Sequence, residues 1–428
     1  MLVVAGASVA GDQPTDESAM GATASSTGID PSLTKDTLRA VRIALQWFEQ
    51  QQAEDGHWSD PQFPAMTALV VWAHLRSPDA ISLDEAGGKV VEIPPYVQKG
   101  IDYILSCVQK DGGIYRPLEG RKGGGLKNYN TAICMAALAA TRDGRYEEVV
   151  RRASRFLSGT QYLGGGEFDG GMGYDAATDR AYADMSNTYV AIEAVRCTEE
   201  FVLYANQAGR SRRQEIELMN RLKNLRQESG GSCPKEETLS WDRAVKFLER
   251  CQNLPETNNA SWVSPDEDDR GGFVYQPGDS KAEDRVIPDV GSYPRSYGSM
   301  TYAGLLSFLY AEVDRKDERV QAAYDWIQRH YTVDENPGLG TASLYYCYHT
   351  MAKALTAYGE EMLKLPDGQT VNWRRQLVNK VVSLQKIDPK TGYGYWVNDD
   401  GHWWENDPVL VTAYATLTLE TCLQGTAP

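Results

Sequence analysis

Five polar residues stand at the edges of strongly apolar segments: Asp184, Asn187, Arg295, Tyr297 and His349. Burying such a group without a partner costs roughly 1–3 kcal/mol. They are therefore expected to bond to one another, to water or to a ligand head group. Asp184 and His349 carry side chains that can hold and release protons, which makes them the acid–base candidates, with Tyr297 beside them. Arg295 and Lys127 have the charge to meet an anion such as a diphosphate. Asn130, Asn187 and Asp407 add neutral and acidic groups at further segment starts. A separate acidic run, Asp266-Glu267-Asp268-Asp269, precedes a Gly-Gly turn. It reads as a solvated loop, as a displaced acid with Asp268 the candidate, or as a cation site. Mg²⁺ would enter there only with a diphosphate substrate. No other cofactor and no bound metal is expected.

The same segments carry Trp72, Tyr129, Tyr189, Tyr297, Tyr302, Tyr345, Tyr346 and Tyr414. Aromatic faces stabilise cations through their quadrupole. They equally serve as ordinary core filling. As a set around one opening they imply an apolar-walled pocket. The net charge of −16 would repel a nucleic-acid backbone, so no nucleic-acid partner is expected. The seven cysteines show no metal-type C-x-x-C spacing, and their odd number does not suit a complete disulfide framework.

What must position these residues is a repeat. An apolar, amphipathic segment is followed by a turn rich in Gly and aromatics, then by a second, almost wholly apolar segment containing Thr. The first unit runs Leu38 to Gln51, Asp55-Gly56-His57-Trp58, then Ala65 to Leu75. The order recurs five times more, with turns near residues 111–115, 170–174, 270–273, 336–340 and 392–396. Thr67, Thr131, Thr188, Thr301, Thr350 and Thr412 fall one in each second segment. Apolar residues at three- and four-residue steps make both segments helices. Amphipathic first helices face water and apolar second helices are buried on every side. The expected fold is all-α: a single (α/α)6 barrel, or toroid, of six helical hairpins. Its central opening is ringed by helix N-termini, where backbone N–H groups favour negative charge.

Gln52-Ala53-Glu54-Asp55-Gly56-His57-Trp58 resembles the Gln-Trp repeat of squalene and hopene cyclases, and Gln109 to Tyr115 resembles a second copy. The Gly-Gly-aromatic turns are similar to those of protein prenyltransferase β-subunits. The resemblance to this terpenoid cyclase and prenyltransferase superfamily spans roughly Lys35 to Cys422. It implies an isoprenoid or other apolar small molecule as ligand, with Asn187, Arg295, Lys127, Asn130, Tyr129, Tyr189, Tyr302, Tyr345 and Trp72 around it. The cyclases use an Asp-x-Asp-Asp-Thr segment whose middle Asp protonates the substrate. Asp184-Met185-Ser186-Asn187-Thr188 matches it at the first Asp and the Thr, with Ser186 in the donor's place. The prenyltransferases hold zinc with Asp, Cys and His. Here only His349 matches, because Arg295 and Tyr297 stand at the other two positions. The resemblance thus implies a cyclase-like enzyme with a non-standard acid, working through Asp184, His349, Tyr297 and Asp268. A non-catalytic lipid- or polypeptide-binding barrel and a polysaccharide lyase-type toroid are the alternatives.

Residues 1–34 are expected to form a disordered tail or a signal-peptide remnant, and 35–428 the barrel. Leu2 to Ala10 is apolar and small but lacks a basic start, so export and retention are equally compatible with it. Peripheral membrane contact is compatible with an apolar ligand, and the oligomeric state is left open.

Overall fold

The computed structural model describes residues 29–83, 89–118, 125–175, 182–205 and 239–424. Within them twelve α-helices alternate between an outer and an inner position. The outer helices are α1 (Pro31–Gln51), α3 (Pro95–Ser106), α5 (Glu147–Gly159), α7 (Trp241–Arg250), α9 (Glu318–His330) and α11 (Trp373–Ser383). The inner helices are α2 (Pro64–Arg76), α4 (Lys127–Ala140), α6 (Met185–Ala205), α8 (Gly298–Tyr310), α10 (Leu344–Tyr358) and α12 (Pro408–Leu423). Each inner helix packs against the next, and α12 packs back against α2, so the ring closes.

Composition dictates which helix goes where. In α1 the buried residues Leu33, Thr37, Ala40, Val41, Ala44, Trp47 and Phe48 follow three- and four-residue steps, leaving a wet face. In α12 every residue from Val409 to Cys422 is buried, as an inner helix surrounded on all sides requires. Four short antiparallel hairpins decorate the connections. The first helix starts at Pro31, inside the expected tail, and Asp30 caps it by accepting the Leu33 N–H at 2.9 Å. The rest of that tail, residues 1–28, lies outside the described residues.

The turns join one hairpin to the next. Gln52 Nε2 donates to the Gly56 carbonyl at 2.9 Å and to the Tyr96 carbonyl at the head of α3 at 2.8 Å. Gln161 and Gln252 do the same for Gly170 and Ser240, and for Gly271 and Arg319. Gly271 has φ +90°, and a β-carbon there would overlap the backbone carbonyl of Ala322 in α9. The turn must therefore be Gly for two reasons, positive φ and close approach. Trp58 is fully buried and donates its indole N–H to the Phe48 carbonyl at 2.7 Å, closing the first turn onto its own helix.

The Thr register has a direct cause. Thr67, Thr131, Thr188, Thr301 and Thr412 each accept a backbone N–H from the turn, from Trp58, Ile114, Met172, Phe273 and Trp396 at 2.9–3.1 Å. They are the fourth or fifth residues of their helices. Thr350 departs from this: it is the seventh residue of α10 and donates back to the Tyr346 carbonyl at 3.0 Å. Cys347 occupies the fourth place. All six Thr lie on the inner ring, but Thr350 stands two or three residues further into its helix than the others, about 3–4.5 Å along the axis.

Candidate functional site

At the N-terminal mouth of the inner ring lies a cavity of about 540 Å³. Six tyrosines line it: Tyr129, Tyr174, Tyr275, Tyr297, Tyr346 and Tyr414. Phe63, Met66, Met300, Leu126, Leu339 and Leu410 fill the apolar wall between them, and Trp403 and Trp404 form the rim. The polar groups on the wall are Asn130, Ser186, Lys281, Ser299, Ser343 and Glu405. A second, more open groove of about 900 Å³ adjoins it, sharing Phe63, Met66 and Trp404.

The hydroxyls are partly tied together. Those of Tyr129 and Tyr414 are 2.9 Å apart, and Tyr275 donates to Tyr174 at 3.4 Å. Burial pushes Tyr129 up to about 12 and Tyr414 and Tyr346 well above the usual phenol range, so all are neutral hydrogen-bonding groups. Lys281 places its ammonium 4.1 Å from the Tyr275 ring centroid and 3.3 Å from Asp279. Glu405 is 1% exposed. It accepts the backbone N–H groups of Tyr346 at 2.7 Å and Tyr345 at 3.2 Å, and the Asn398 amide at 2.7 Å. It thus caps α10 from outside. Burial raises its pKa from the ordinary carboxylate value while those donors pull it down.

Four residues on this wall have left-handed backbones without being Gly: Leu126 (φ 57°), Ser343 (φ 53°), Trp403 (φ 51°) and Trp404 (φ 65°). Such residues cost of order 1–3 kcal/mol each and gather where a site needs them. Leu126 and Ser343 turn the chain directly into α4 and α10, and the Trp pair holds two half-exposed indoles over the opening.

Of the residues singled out from sequence, Tyr129, Asn130, Tyr297, Tyr346 and Tyr414 line the cavity. Asn130 accepts the Ala65 N–H at 3.0 Å and donates to the Gly125 carbonyl at 2.8 Å. Asp184 does not reach it. Its carboxylate is buried and caps α6, accepting the Asn187 N–H and the Ser186 hydroxyl at 2.9 Å and both Asn187 amide contacts. Burial raises its pKa from the usual carboxylate value. Ser186, not Asp184, faces the cavity.

His349 does not line the cavity either, so the expected meeting of Asp184 and His349 in one pocket does not occur. The register of Thr350 explains this, because His349 beside it is the sixth residue of α10 and lies more than a turn in from the helix start. There its ring packs against Tyr414 (5.6 Å between centroids) and edge-on to Trp72 (6.4 Å). Burial, then Lys353 and Arg76, hold its pKa well below the usual imidazole value. Trp72 and Tyr189 belong to this deeper layer, where Lys353 donates to the Tyr189 hydroxyl at 2.7 Å and is ion-paired with Glu193. Lys353 also stands over the Trp72 ring. These contacts link α10 with α2 and α6, which are not its neighbours in the ring, so the barrel axis is filled beneath the cavity.

The remaining assignments move outward. Asp268 is not at the mouth. With Asp266 and Asp269 it surrounds Arg285, and it meets His330 of α9 at 2.9 Å. Arg285 occupies the place a cation would take, and Asp268, expected to be catalytic, is held in this ion-pair cluster away from the cavity. Lys127 lies over the Tyr115 ring at 5.1 Å, and Arg295 lends its carbonyl to Ser280 at 2.6 Å. Neither lines the cavity, and the expected diphosphate contacts are not assembled there. Tyr302 and Tyr345 are buried in the ring wall, Tyr345 against Tyr348. Sequence reasoning missed Tyr174, Tyr275, Lys281, Trp403, Trp404 and Glu405. For Trp403, Trp404 and Glu405 the signal was His402-Trp403-Trp404-Glu405 itself, two large aromatics in a polar connection, and for Tyr174 it was the repeated turn at 170–174.

No family model matches this chain, and no curated protein matches it. Solved structures do. A type II terpene cyclase, MstE from Scytonema, is similar at 10% identity over 91% of this chain and 99% of its own, with a TM-score of 0.47. An α-1,6-mannanase from Salegentibacter is similar at 10% identity over 92% and 99%, with a TM-score of 0.48. A protein geranylgeranyltransferase-I from Candida albicans, solved with GGPP, is similar at 11% identity over 86% and 92%, with a TM-score of 0.31. The toroid itself is established by this chain's own closed ring of helices.

Chemically, the site offers an apolar, aromatic enclosure with neutral hydroxyls and one buried carboxyl. Glycoside hydrolysis in its common forms uses two carboxyls across the bond. Among the described residues of this cavity wall there is one, Glu405.

Proposed function

We propose that this protein binds an apolar, isoprenoid-type small molecule in the tyrosine-lined cavity at the mouth of the barrel. The observation that carries this reading is the wall: six tyrosines, three other aromatics and a run of Met and Leu around about 540 Å³. Ligand pockets of this size are mostly apolar, with few polar groups to orient what they hold. Acid-initiated cyclisation asks for a strong acid facing the substrate. Ser186 stands where the cyclases carry theirs, and both Glu405 oxygens already accept N–H groups. Binding is therefore the function proposed, without proton-initiated cyclisation. The test is titration of the purified protein with geranylgeraniol, read by its indole fluorescence, to which the rim pair Trp403 and Trp404 contributes. Saturable quenching is expected, together with an apolar molecule released from the native protein in the mass spectrometer. Quenching by mannan oligosaccharides and none by geranylgeraniol would overturn the reading in favour of a carbohydrate site.

A further inference from the structure

The cavity does not end at its apolar rim. The groove of about 900 Å³ continues from it, and Phe63, Met66 and Trp404 belong to both walls. One connection serves both. Trp403, Trp404 and Glu405 stand on the cavity wall, and Trp404, Asn406 and Asp407 on the groove wall. Both volumes lie within the range of about 300–1,000 Å³ that small-molecule sites occupy. Together they make one site with two compartments.

The compartments differ in chemistry. Beyond the shared residues, the groove is walled by Ser59, Asp60, Gln62, Asn406 and Asp407, with Leu118 and two prolines, and by no tyrosine. The Ser59 hydroxyl donates to Asp407, which ties the turn before α2 to the cap of α12 and fixes the groove across the seam. The other Asp407 oxygen accepts the Val409 N–H at 2.7 Å. Asp60 uses one oxygen to accept the Gln62 N–H at 2.8 Å. Its second oxygen and the side-chain amides of Gln62 and Asn406 take part in no hydrogen bond among the described residues, and all three residues are exposed. Trp404 stands at the junction, its ring 4.6 Å from that of Phe63 and the residue 43% exposed. Ser59 shares its left-handed backbone, with φ 60°. Strained residues thus mark the groove as they mark the cavity.

An exposed indole beside an unbonded carboxyl oxygen and two unbonded amides suits a particular head group. The C–H face of a sugar ring packs on the indole, while its hydroxyls donate to Asp60 and exchange bonds with the amides. No Lys, Arg or His is among the described residues of the groove wall, so a diphosphate would meet carboxyls without a counter-charge. We infer that the groove binds a neutral, hydroxyl-rich head group, a sugar, on a ligand whose hydrocarbon lies in the tyrosine-lined cavity. The ligand class is then a prenyl glycoside, its chain inside and its head beyond Trp404.

This inference rests on the proposed binding function. Its test compares three probes on the intact chain by isothermal titration calorimetry, each below its aggregation concentration: geranylgeraniol, geranylgeranyl β-glucoside and geranylgeranyl diphosphate. Two added hydrogen bonds of ordinary net strength correspond to about tenfold in affinity, so the glucoside is expected to bind at least that much more tightly than the alcohol. The diphosphate is expected to bind more weakly than the alcohol. Gln62→Ala combined with Asn406→Ala changes two exposed residues of the groove alone. It should cut the glucoside's advantage about fivefold or more and leave geranylgeraniol affinity unchanged. Equal affinity for glucoside and alcohol, tighter binding of the diphosphate than of the glucoside, or an advantage unmoved by the double variant overturns the head-group assignment while leaving the apolar cavity intact. Failure of geranylgeraniol to bind overturns the proposed function and this inference with it.

Discussion

The threonines of the inner helices illustrate how one side chain can set a repeat. Thr131 offers its hydroxyl oxygen to the Ile114 N–H at 2.9 Å, and both residues are fully buried. The bond fixes the turn against the helix start and so the level at which the following residues meet the mouth. Thr350 does something different, since its hydroxyl returns to carbonyls of its own helix, Tyr346 and Cys347. Thr131→Val removes the sole acceptor described for a buried N–H and should cost about 1–3 kcal/mol. Thr350→Val removes a bond to carbonyls already used by the helix and should cost less than about 1 kcal/mol. Urea denaturation of the two variants checks this. Equal losses would mean that the turn bond does not fix the register. The same comparison explains His349. Sequence placed it by its position before Thr350, and Thr350 is the one member of the set out of step.

Between elements, the decisive contact is the Lys353–Glu193 pair, which joins α10 to α6 across the barrel axis. Both side chains are under 8% exposed. The Tyr310 hydroxyl also donates to Glu193, at 3.3 Å, and burial lowers the pKa of Lys353 from its ordinary value. Losing one partner of a buried pair strands a charge and costs about 3–5 kcal/mol, whereas replacing both by apolar groups is often close to neutral. Lys353→Met and Glu193→Leu should each destabilise by about that amount, and the double variant should recover most of the loss. Additive losses, measured by thermal and urea unfolding, would show that the two charges do not depend on each other. The helices themselves were legible because periodicity, Gly turns and Thr positions all point to one architecture. The connections were not. Tyr174 and Tyr275 stand two residues after the Thr-bonded turn residues Met172 and Phe273, but Trp403 and Glu405 reach the mouth from a loop that obeys no period, and which of these groups meet is fixed by which hairpins become neighbours when the ring closes. Asp184 was legible as a polar helix start, but an N-cap and a catalytic acid use the same residue type, and sequence does not separate them.

At the scale of the molecule, closure distinguishes this toroid from an open array of hairpins. In an open solenoid each repeat touches only its neighbours, and losing a terminal repeat removes roughly one share of the stability. Here α12 packs against α2 as well as α10, and α1 packs against α12 and α11. The seam is stitched by polar bonds between distant parts of the chain. Arg76 donates to the Gln424 side chain at 3.0 Å, Gln385 donates to the Ala40 carbonyl at 2.9 Å, and Ser59 bonds to Asp407. Removing α12 would expose the apolar faces of both ring neighbours at once, and would take Leu410 and Tyr414 from the cavity. A chain ending at Asn406 is therefore expected to show no cooperative urea transition and no near-ultraviolet dichroism. An open array cut at the same place would keep a transition with roughly five-sixths of the parent's denaturant dependence, because that slope follows the surface exposed on unfolding. Observation of that residual transition would mean that the ring contributes nothing beyond the sum of its hairpins.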